Sequence, residues 1–222
     1  MPPSVPIPPA DTVTAIILAG GGGERVGGLP KAFLRHGGLT LLEHALALLA
    51  PFAGRVVACL PADRLGDAPA GLVAVAGGAS RQRSLAAGLA QTTTPHVLLH
   101  EVARPFATPA LVRAALAALA QGADAAVPVV ALPVRDSLVA VSNGRIRTVL
   151  AREELHHSQT PQAYRRSALA DAVTAALAQG REETTAFAPM LRDGLRVDAV
   201  AGEAANVKIT YAADLALLDG AT

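Results

Sequence analysis

An open α/β fold, with a mostly parallel sheet and helices on both faces, is what the sequence predicts. Two observations carry this. Short apolar runs rich in β-branched residues alternate with longer aliphatic stretches of helical character along most of the chain. The segments "AGGGG", "GGASR" and "HEVARP" each follow one of those runs, which brings them to the carboxyl edge of such a sheet, where ligands of this fold class bind.

The elements follow in order. Residues 1–12, "MPPSVPIPPADT", are proline-rich and have neither a basic start nor a long apolar run, so they read as an extended or disordered lead-in and not as a signal peptide. Residues 13–222 then form a single domain. Residues 13–19 read as a buried strand ending at the glycines. "TLLEHALALLAPFAG" opens with Thr40 and Glu43 in capping-box spacing and closes near Pro51 and Gly54, which predicts a helix. Strands are expected over 55–60, stopped by Pro61, over 72–75, and over 96–101, with a helix over 81–90 following Gly77-Gly78. Thr108-Pro109 reads as an N-cap with proline at the first helical position, and Gly122 as the stop of that helix. A fifth strand spans 125–130, a helix over 167–179 is closed by Gly180, and short strands over 196–200 and 207–210 precede a terminal helix from about Ala212.

Residues 131–160 break this rhythm. Asn143-Gly144, flanked by "SLVAV" and "RIRTV", is a strong hairpin signal. A two-stranded hairpin is marginal alone, so it packs on something: a second subunit, or its own domain as a flap.

Composition narrows the function. Of the 222 residues, 51% are hydrophobic but only 3% aromatic, so the core is aliphatic. A net charge of +1 provides no field to draw in nucleic acid or an anionic membrane. No stretch approaches the roughly 18 apolar residues of a membrane span, and the expectation is a soluble, cytoplasmic protein. The single cysteine, Cys59, excludes an intrachain disulfide and a cysteine metal site. His156 and His157 are adjacent, point apart on any regular element, and have no third ligand at suitable spacing.

Four consecutive glycines, 20–23, are followed by Arg25 and Lys31. A glycine run serves either as a pliant surface turn or as backbone that approaches a ligand closely. Its place at a strand end with two cations following favours a phosphate cradle. It is not a dinucleotide fingerprint: Gly21-x-Gly23 is followed by Val26 where the third glycine belongs, and the second strand has no acid at its end. It is not a Walker loop either, since no Gly-Lys-Ser/Thr triplet occurs.

The stretch "LAGGGGERVGGLPK" resembles the signature of nucleotidyltransferases that activate sugars and polyols. "GGASRQRSLAAGL", "HEVARPF", "PVRDS", "QTPQAY" and "NVKIT" follow in an order and spacing similar to those of the 2-C-methyl-D-erythritol 4-phosphate cytidylyltransferase family of the non-mevalonate isoprenoid pathway, over residues 13 to 219. The resemblance implies a three-layer, Rossmann-like nucleotidyltransferase with a protruding β-hairpin dimerisation arm at about 131–152. It implies transfer of CMP from CTP to the polyol phosphate with release of pyrophosphate, Mg²⁺ as cofactor, and a homodimer. It places Arg25, Lys31, Arg152 and Lys208 in the catalytic machinery. CTP would be held by Ala19, Gly20, Gly21, Gly22, Gly23, Gly78, Ser84 and Glu101, with Glu101 also serving the metal. The polyol phosphate would meet Arg104, Ser137, Arg152, Thr160 and Lys208, with Ser137 and Arg152 acting across to the neighbouring subunit. Arg81 either braces its loop or touches ligand. Some relatives carry the pathway's later cyclase as a further domain, and none is expected here.

Departures from the family pattern spare the phosphate-handling cations and touch the ribose and metal position and several polyol-contacting or supporting polar residues. Glu101 replaces an aspartate; "DSLV" at 136–139 lacks a family lysine; "TTAF" at 184–187 lacks two acids; and Ala32 follows Pro30-Lys31 where the family has glutamine. Two further readings therefore stand beside the first: a cytidylyltransferase for another polyol phosphate such as ribitol 5-phosphate, and a nucleotide-binding homologue weakened in catalysis.

Overall fold

The computed structural model of the chain describes residues 5–21, 28, 30–133 and 136–219. Val13–Leu18 (β1) lies inside an eight-stranded sheet, between Arg55–Leu60 (β4) and His96–Glu101 (β6), both parallel to it. Val73–Ala76 (β5) continues the sheet beyond β4. On the other side β6 is followed by Gln162–Arg165 (β11) and then by Ala125–Ala131 (β7). His156–Ser158 (β10) runs beside β7 just ahead of β11, and Val197–Ala201 (β12) covers the opposite edge of β7. Only β10 and β11 oppose the common direction, so the expectation of a mostly parallel sheet holds.

Alternation along the strands sends side chains to two separate cores. Val13, Ala15 and Ile17 of β1 meet Leu41, Leu42 and Leu49 of Leu41–Leu49 (α1) and Val112 and Leu116 of Pro109–Ala120 (α3). Ile16 and Cys59 face Leu85 and Leu89 of Arg81–Leu89 (α2), and the same cluster holds Leu169 and Val173 of Arg166–Ala178 (α4) and Met190 of Ala188–Arg192 (α5). These are the three layers. Tyr164 of β11 is fully buried in the second core, where its hydroxyl donates to Gln162 Oε1 at 2.5 Å and burial pushes the phenol's pKa up.

Local signals were obeyed where they are chemical. Thr40 Oγ1 accepts from the Glu43 amide at 3.2 Å, and Glu43 Oε2 accepts from the Thr40 amide at 2.7 Å, a complete capping box. Asn143 and Gly144 take φ of 51° and 69°, the left-handed pair a tight hairpin requires. They join Leu138–Ser142 (β8) to Arg145–Leu150 (β9), which form a two-stranded sheet of their own with a bulge at Ala140/Val141.

Three expectations needed correction. Residues 207–210 form no strand, because they are held by isolated bonds such as Ile209 N to Ala103 O at 2.8 Å. The terminal helix begins as a 3-10 turn, Ala212–Leu215, before Ala216–Asp219 (α6). Thr108 stands at the N-cap of α3 with Pro109 opening the helix, as expected, but its hydroxyl donates to Glu203 Oε1 at 2.6 Å and makes no bond to the helix. Strands β10 and β11, together with α5, were not foreseen; β11 is four residues long, follows Pro161, and includes Gln162 and Arg165. The short strands Arg35–His36 (β2) and Leu39–Thr40 (β3), leading into α1, were also unforeseen.

Candidate active site

The parallel ladder continues one residue past several strands before the chains part. Ala19 N donates to Cys59 O at 3.0 Å, Gly77 N to Leu60 O at 2.8 Å, and Val102 N to Leu18 O at 3.1 Å. Beyond these bonds a cleft of about 450 Å³ opens at the carboxyl edge. Gly20 and Gly21 line it from β1, residues 78–81 from β5, and Glu101 from β6, while Lys31 and Lys208 close it from two further segments. The convergence expected from the glycine-rich and "HEVARP" segments is realised.

Glu101 is the electrostatic centre. Its Oε1 meets Arg81 Nε at 3.0 Å, its Oε2 meets Lys208 Nζ at 2.6 Å, and Arg104 Nε lies 3.9 Å from Oε2. Burial acts to raise its pKa, but the Lys208 ammonium and the Arg81 guanidinium hold it down to about 2. The carboxylate is therefore ionised at any working pH, inside a frame of cations. Behind it, Thr160 Oγ1 accepts from the Glu101 amide at 3.0 Å and lies 3.1 Å from His100 Nδ1. His100 is fully buried, and burial brings its pKa down to about 4, so the ring is neutral.

The turn from β5 into α2 is fixed by Ser84. Its hydroxyl accepts from Gly78 N at 3.1 Å and donates to Ser80 O at 2.9 Å. A Cβ at Gly78 would stand 2.4 Å from the Arg83 Cβ and 2.9 Å from the Arg83 carbonyl carbon. Gly78→Ala should therefore displace this turn and, where the turn meets the CTP that the resemblance implies, raise the CTP concentration for half-saturation by about tenfold, with a smaller effect on turnover. Steady-state kinetics at varied CTP check this, and an unchanged half-saturation would mean the turn does not meet the nucleotide.

The expected site residues fall into three groups. Ala19, Gly20, Gly21, Lys31, Gly78, Ser84, Glu101 and Lys208 line the cleft. Arg104 and Thr160 lie beneath it: the Arg104 guanidinium donates to Asn206 O at 2.7 Å and Ser158 O at 3.2 Å. Ser137 and Arg152 stand on exposed chain at either side of the β8–β9 hairpin, with Arg152 Nε 3.2 Å from Glu153 Oε1. Gly22, Gly23 and Arg25 lie outside the described residues. Arg81 pairs with Glu101, which is a bracing contact. Lys31 Nζ donates to Ile209 O at 2.8 Å, tying the segment after the glycine loop to the one that bears Lys208.

Among the described residues no cluster of three metal-ligating side chains occurs, and Glu101 is the one carboxylate lining the cleft. The two Glu101 oxygens, engaged by Arg81 and Lys208, are the donors this side of the cleft would offer to Mg²⁺ held with substrate phosphates and water.

The family model described as 2-C-methyl-D-erythritol 4-phosphate cytidylyltransferase matches residues 13–220. The chain belongs to the 2-C-methyl-D-erythritol 4-phosphate cytidylyltransferase family. A Deinococcus radiodurans member of that name is 39% identical over 221 residues, 99% of this chain and 93% of its own. A Thermus thermophilus member is 42% identical over 209 residues, 93% and 95% of the two chains. The crystal structure of a Thermus thermophilus cytidylyltransferase of the same name superposes with a TM-score of 0.76 at 38% identity, covering 92% of this chain and 96% of that one. Ala186, in the "TTAF" stretch, is buried in the second core with Met190, where an ionised side chain would be costly. Family motifs pointed to the neighbourhood of Gln159 and Asn206 through "QTPQAY" and "NVKIT", but not to those two side chains, whose partners lie 44 to 47 residues away.

Proposed function

We propose that the protein transfers CMP from CTP to 2-C-methyl-D-erythritol 4-phosphate, releasing pyrophosphate and forming 4-diphosphocytidyl-2-C-methyl-D-erythritol. The observation that carries this is one cleft at the carboxyl edge lined by Lys31 and by Glu101 with its partners Arg81 and Lys208, in a chain that belongs to the cytidylyltransferase family. An oxygen of the polyol phosphate attacks the α-phosphorus of CTP, and the bond to the β-phosphate oxygen breaks. A phosphate monoester is already ionised and nucleophilic at neutral pH, so no general base is needed. The site must supply alignment and compensation of charge on the phosphate in flight.

Backbone at Ala19, Gly20 and Gly21 cradles the triphosphate, with Gly22 and Gly23 as its continuation, and Lys31 and Arg25 meet the phosphates. Gly78 and Ser84 shape the turn that receives the base. Lys208 and Arg104, with Thr160, serve the polyol phosphate. Bound Mg²⁺, with Glu101 as its protein carboxylate, would draw charge off the triphosphate. CTP supply places the reaction in the cytoplasm, and no helix among the described residues is long and apolar enough to cross a membrane. Product formation from CTP and Mg²⁺ with 2-C-methyl-D-erythritol 4-phosphate, set against ribitol 5-phosphate, tests the reading. Preference for ribitol 5-phosphate, or no product from either, rejects it.

The active unit in this reading is a homodimer formed through the arm. Val139 opposes Val149 and Val141 opposes Ile146 across the hairpin, so all four share one face. They are 38% to 68% exposed, an apolar face on a hairpin that cannot stand alone. Docked on a second subunit, the arm brings Ser137 and Arg152 to the partner's polyol phosphate. Homodimers of Lys31→Ala and of Arg152→Ala should each be nearly inactive. After subunit exchange, half of the dimers are mixed and each holds one intact site, so activity should return to about a quarter of the unmodified level. Exchange without recovery assigns Arg152 to its own subunit's site.

A further inference from the structure

We propose that Asn206 and Gln159 are positioning residues for the phosphate-handling pair Lys208 and Arg104, an inference that rests on the function proposed above. Lys208 stands on residues 206–210, which belong to no strand. Its place is therefore set by a few fixed points, not by a ladder. One is the bond from Ile209 N to Ala103 O at 2.8 Å. A second is the bond from Lys31 Nζ to Ile209 O at 2.8 Å, and a third is Asn206, wholly buried two residues before the lysine.

Asn206 Nδ2 donates to Gln159 Oε1 at 3.2 Å and to Thr160 O at 3.0 Å. Gln159 Nε2 donates to Glu203 O at 2.8 Å, and Gln159 Oε1 accepts from Glu203 N at 3.1 Å, so the glutamine side chain clasps the turn that leads into Asn206. The fit is close: a Cβ at Gly202 would stand 2.8 Å from Gln159 Oε1. The main-chain carbonyl of Asn206 accepts from Arg104 Nη1 at 2.7 Å. Asn206 thus presents its amide to the segment carrying Thr160 and its carbonyl to Arg104, while its own segment bears Lys208. Thr160 in turn holds the Glu101 amide. Lys208 comes from one stretch of chain and Glu101 and Arg104 from another, and this one buried pair of amides references the two stretches to each other.

Packing alone does not call for this arrangement. Asn206 Oδ1 is buried and has no partner among the described residues, although both Asn206 donor bonds are made. The amide is held by its donor side, which is the side that fixes the neighbouring segments, and a buried acceptor is left over.

The test uses near-isosteric variants without the amide, Asn206→Leu and Gln159→Met, in the full-length protein. Positioning predicts that kcat/KM for 2-C-methyl-D-erythritol 4-phosphate falls at least about tenfold while the KM for CTP stays within about twofold. It also predicts that Asn206→Leu costs clearly less in the Lys208→Ala background than in the unmodified protein, because part of its effect passes through Lys208 and the rest through Arg104. Equal losses for the two substrates, or a fully multiplicative double variant, would overturn the proposal. If Asn206→Leu does not fold, Gln159→Met is judged by the same criteria, and failure of both to fold assigns the pair a purely structural role. Unmodified protein that makes no product rejects the function itself and this inference with it, an outcome distinct from an active parent with additive variants.

Discussion

Replacing Lys31 by alanine should lower turnover by about two to three orders of magnitude while the CTP concentration for half-saturation moves by no more than about threefold. The reason is where its charge stands. Lys31 lines the cleft next to the glycine turn, and its ammonium already reaches Ile209 O at 2.8 Å, so it is held in place before any ligand arrives. A preset cation needs little reorganisation as negative charge builds on the α-phosphate, and its effect is greatest in the transition state. CTP still has the backbone turn and further cations to bind it, so ground-state affinity suffers less. The alanine variant also loses the tie between Lys31 and the segment bearing Lys208. Lys31→Arg separates the two effects: it keeps the charge but not the compact geometry, and should recover binding more than turnover. Equal falls in affinity and turnover would make Lys31 a binding residue only.

Glu101→Gln should cut turnover by about a hundredfold and raise the Mg²⁺ concentration needed for half-maximal activity. The substitution keeps the shape of the side chain and removes its charge. Lys208 and Arg81, now 2.6 and 3.0 Å from the carboxylate, would face one another across a neutral amide and move apart. The same change has a signature in stability. In the native protein the Glu101 pKa is about 2, below its usual 4.5. A depressed carboxylate contributes stability that is present above pH 4.5 and is lost as pH falls toward 2, on the order of 3 kcal/mol for this shift. The glutamine variant should therefore be less stable at neutral pH, yet lose less on acidification across that window. Denaturant titrations at several pH values would show the flatter slope. Unchanged Mg²⁺ dependence together with the flatter slope would make Glu101 a structural anchor for its cations.

What could be read from sequence was local. The Thr40–Glu43 box and the Asn143-Gly144 turn each declare themselves within four residues, and both are realised atom for atom. Buried strands such as β1, β4 and β6 were legible because two covered faces demand a continuous apolar run. β11 was not: it is four residues long, follows a proline, and keeps Gln162 buried through bonds made only in the folded chain. The cleft's glycines and Lys31, Glu101 and Lys208 were reachable through family motifs. Their arrangement was not. Arg81 meets Glu101 across 20 residues and Arg104 meets Asn206 across 102, and spacing says nothing at that range. Arg104 and Thr160 illustrate this, since motifs single them out but say nothing of their bonds to the Asn206 carbonyl and the Glu101 amide.

The burial of Tyr164 has an optical consequence. The chain contains no tryptophan and only two tyrosines, and Tyr211 is 60% exposed. A ring in a fixed asymmetric environment gives near-ultraviolet dichroism, so Tyr164, the fully buried one of the two, reports on the native core in the tyrosine band. That ring sits on the strand beside the one ending in Glu101, close enough to feel the charges of Glu101 and Arg81. Loosening of the cleft by acid, by heat or by the variants above can thus be followed in the native tyrosine band, without a label and apart from the helical signal of the outer layers.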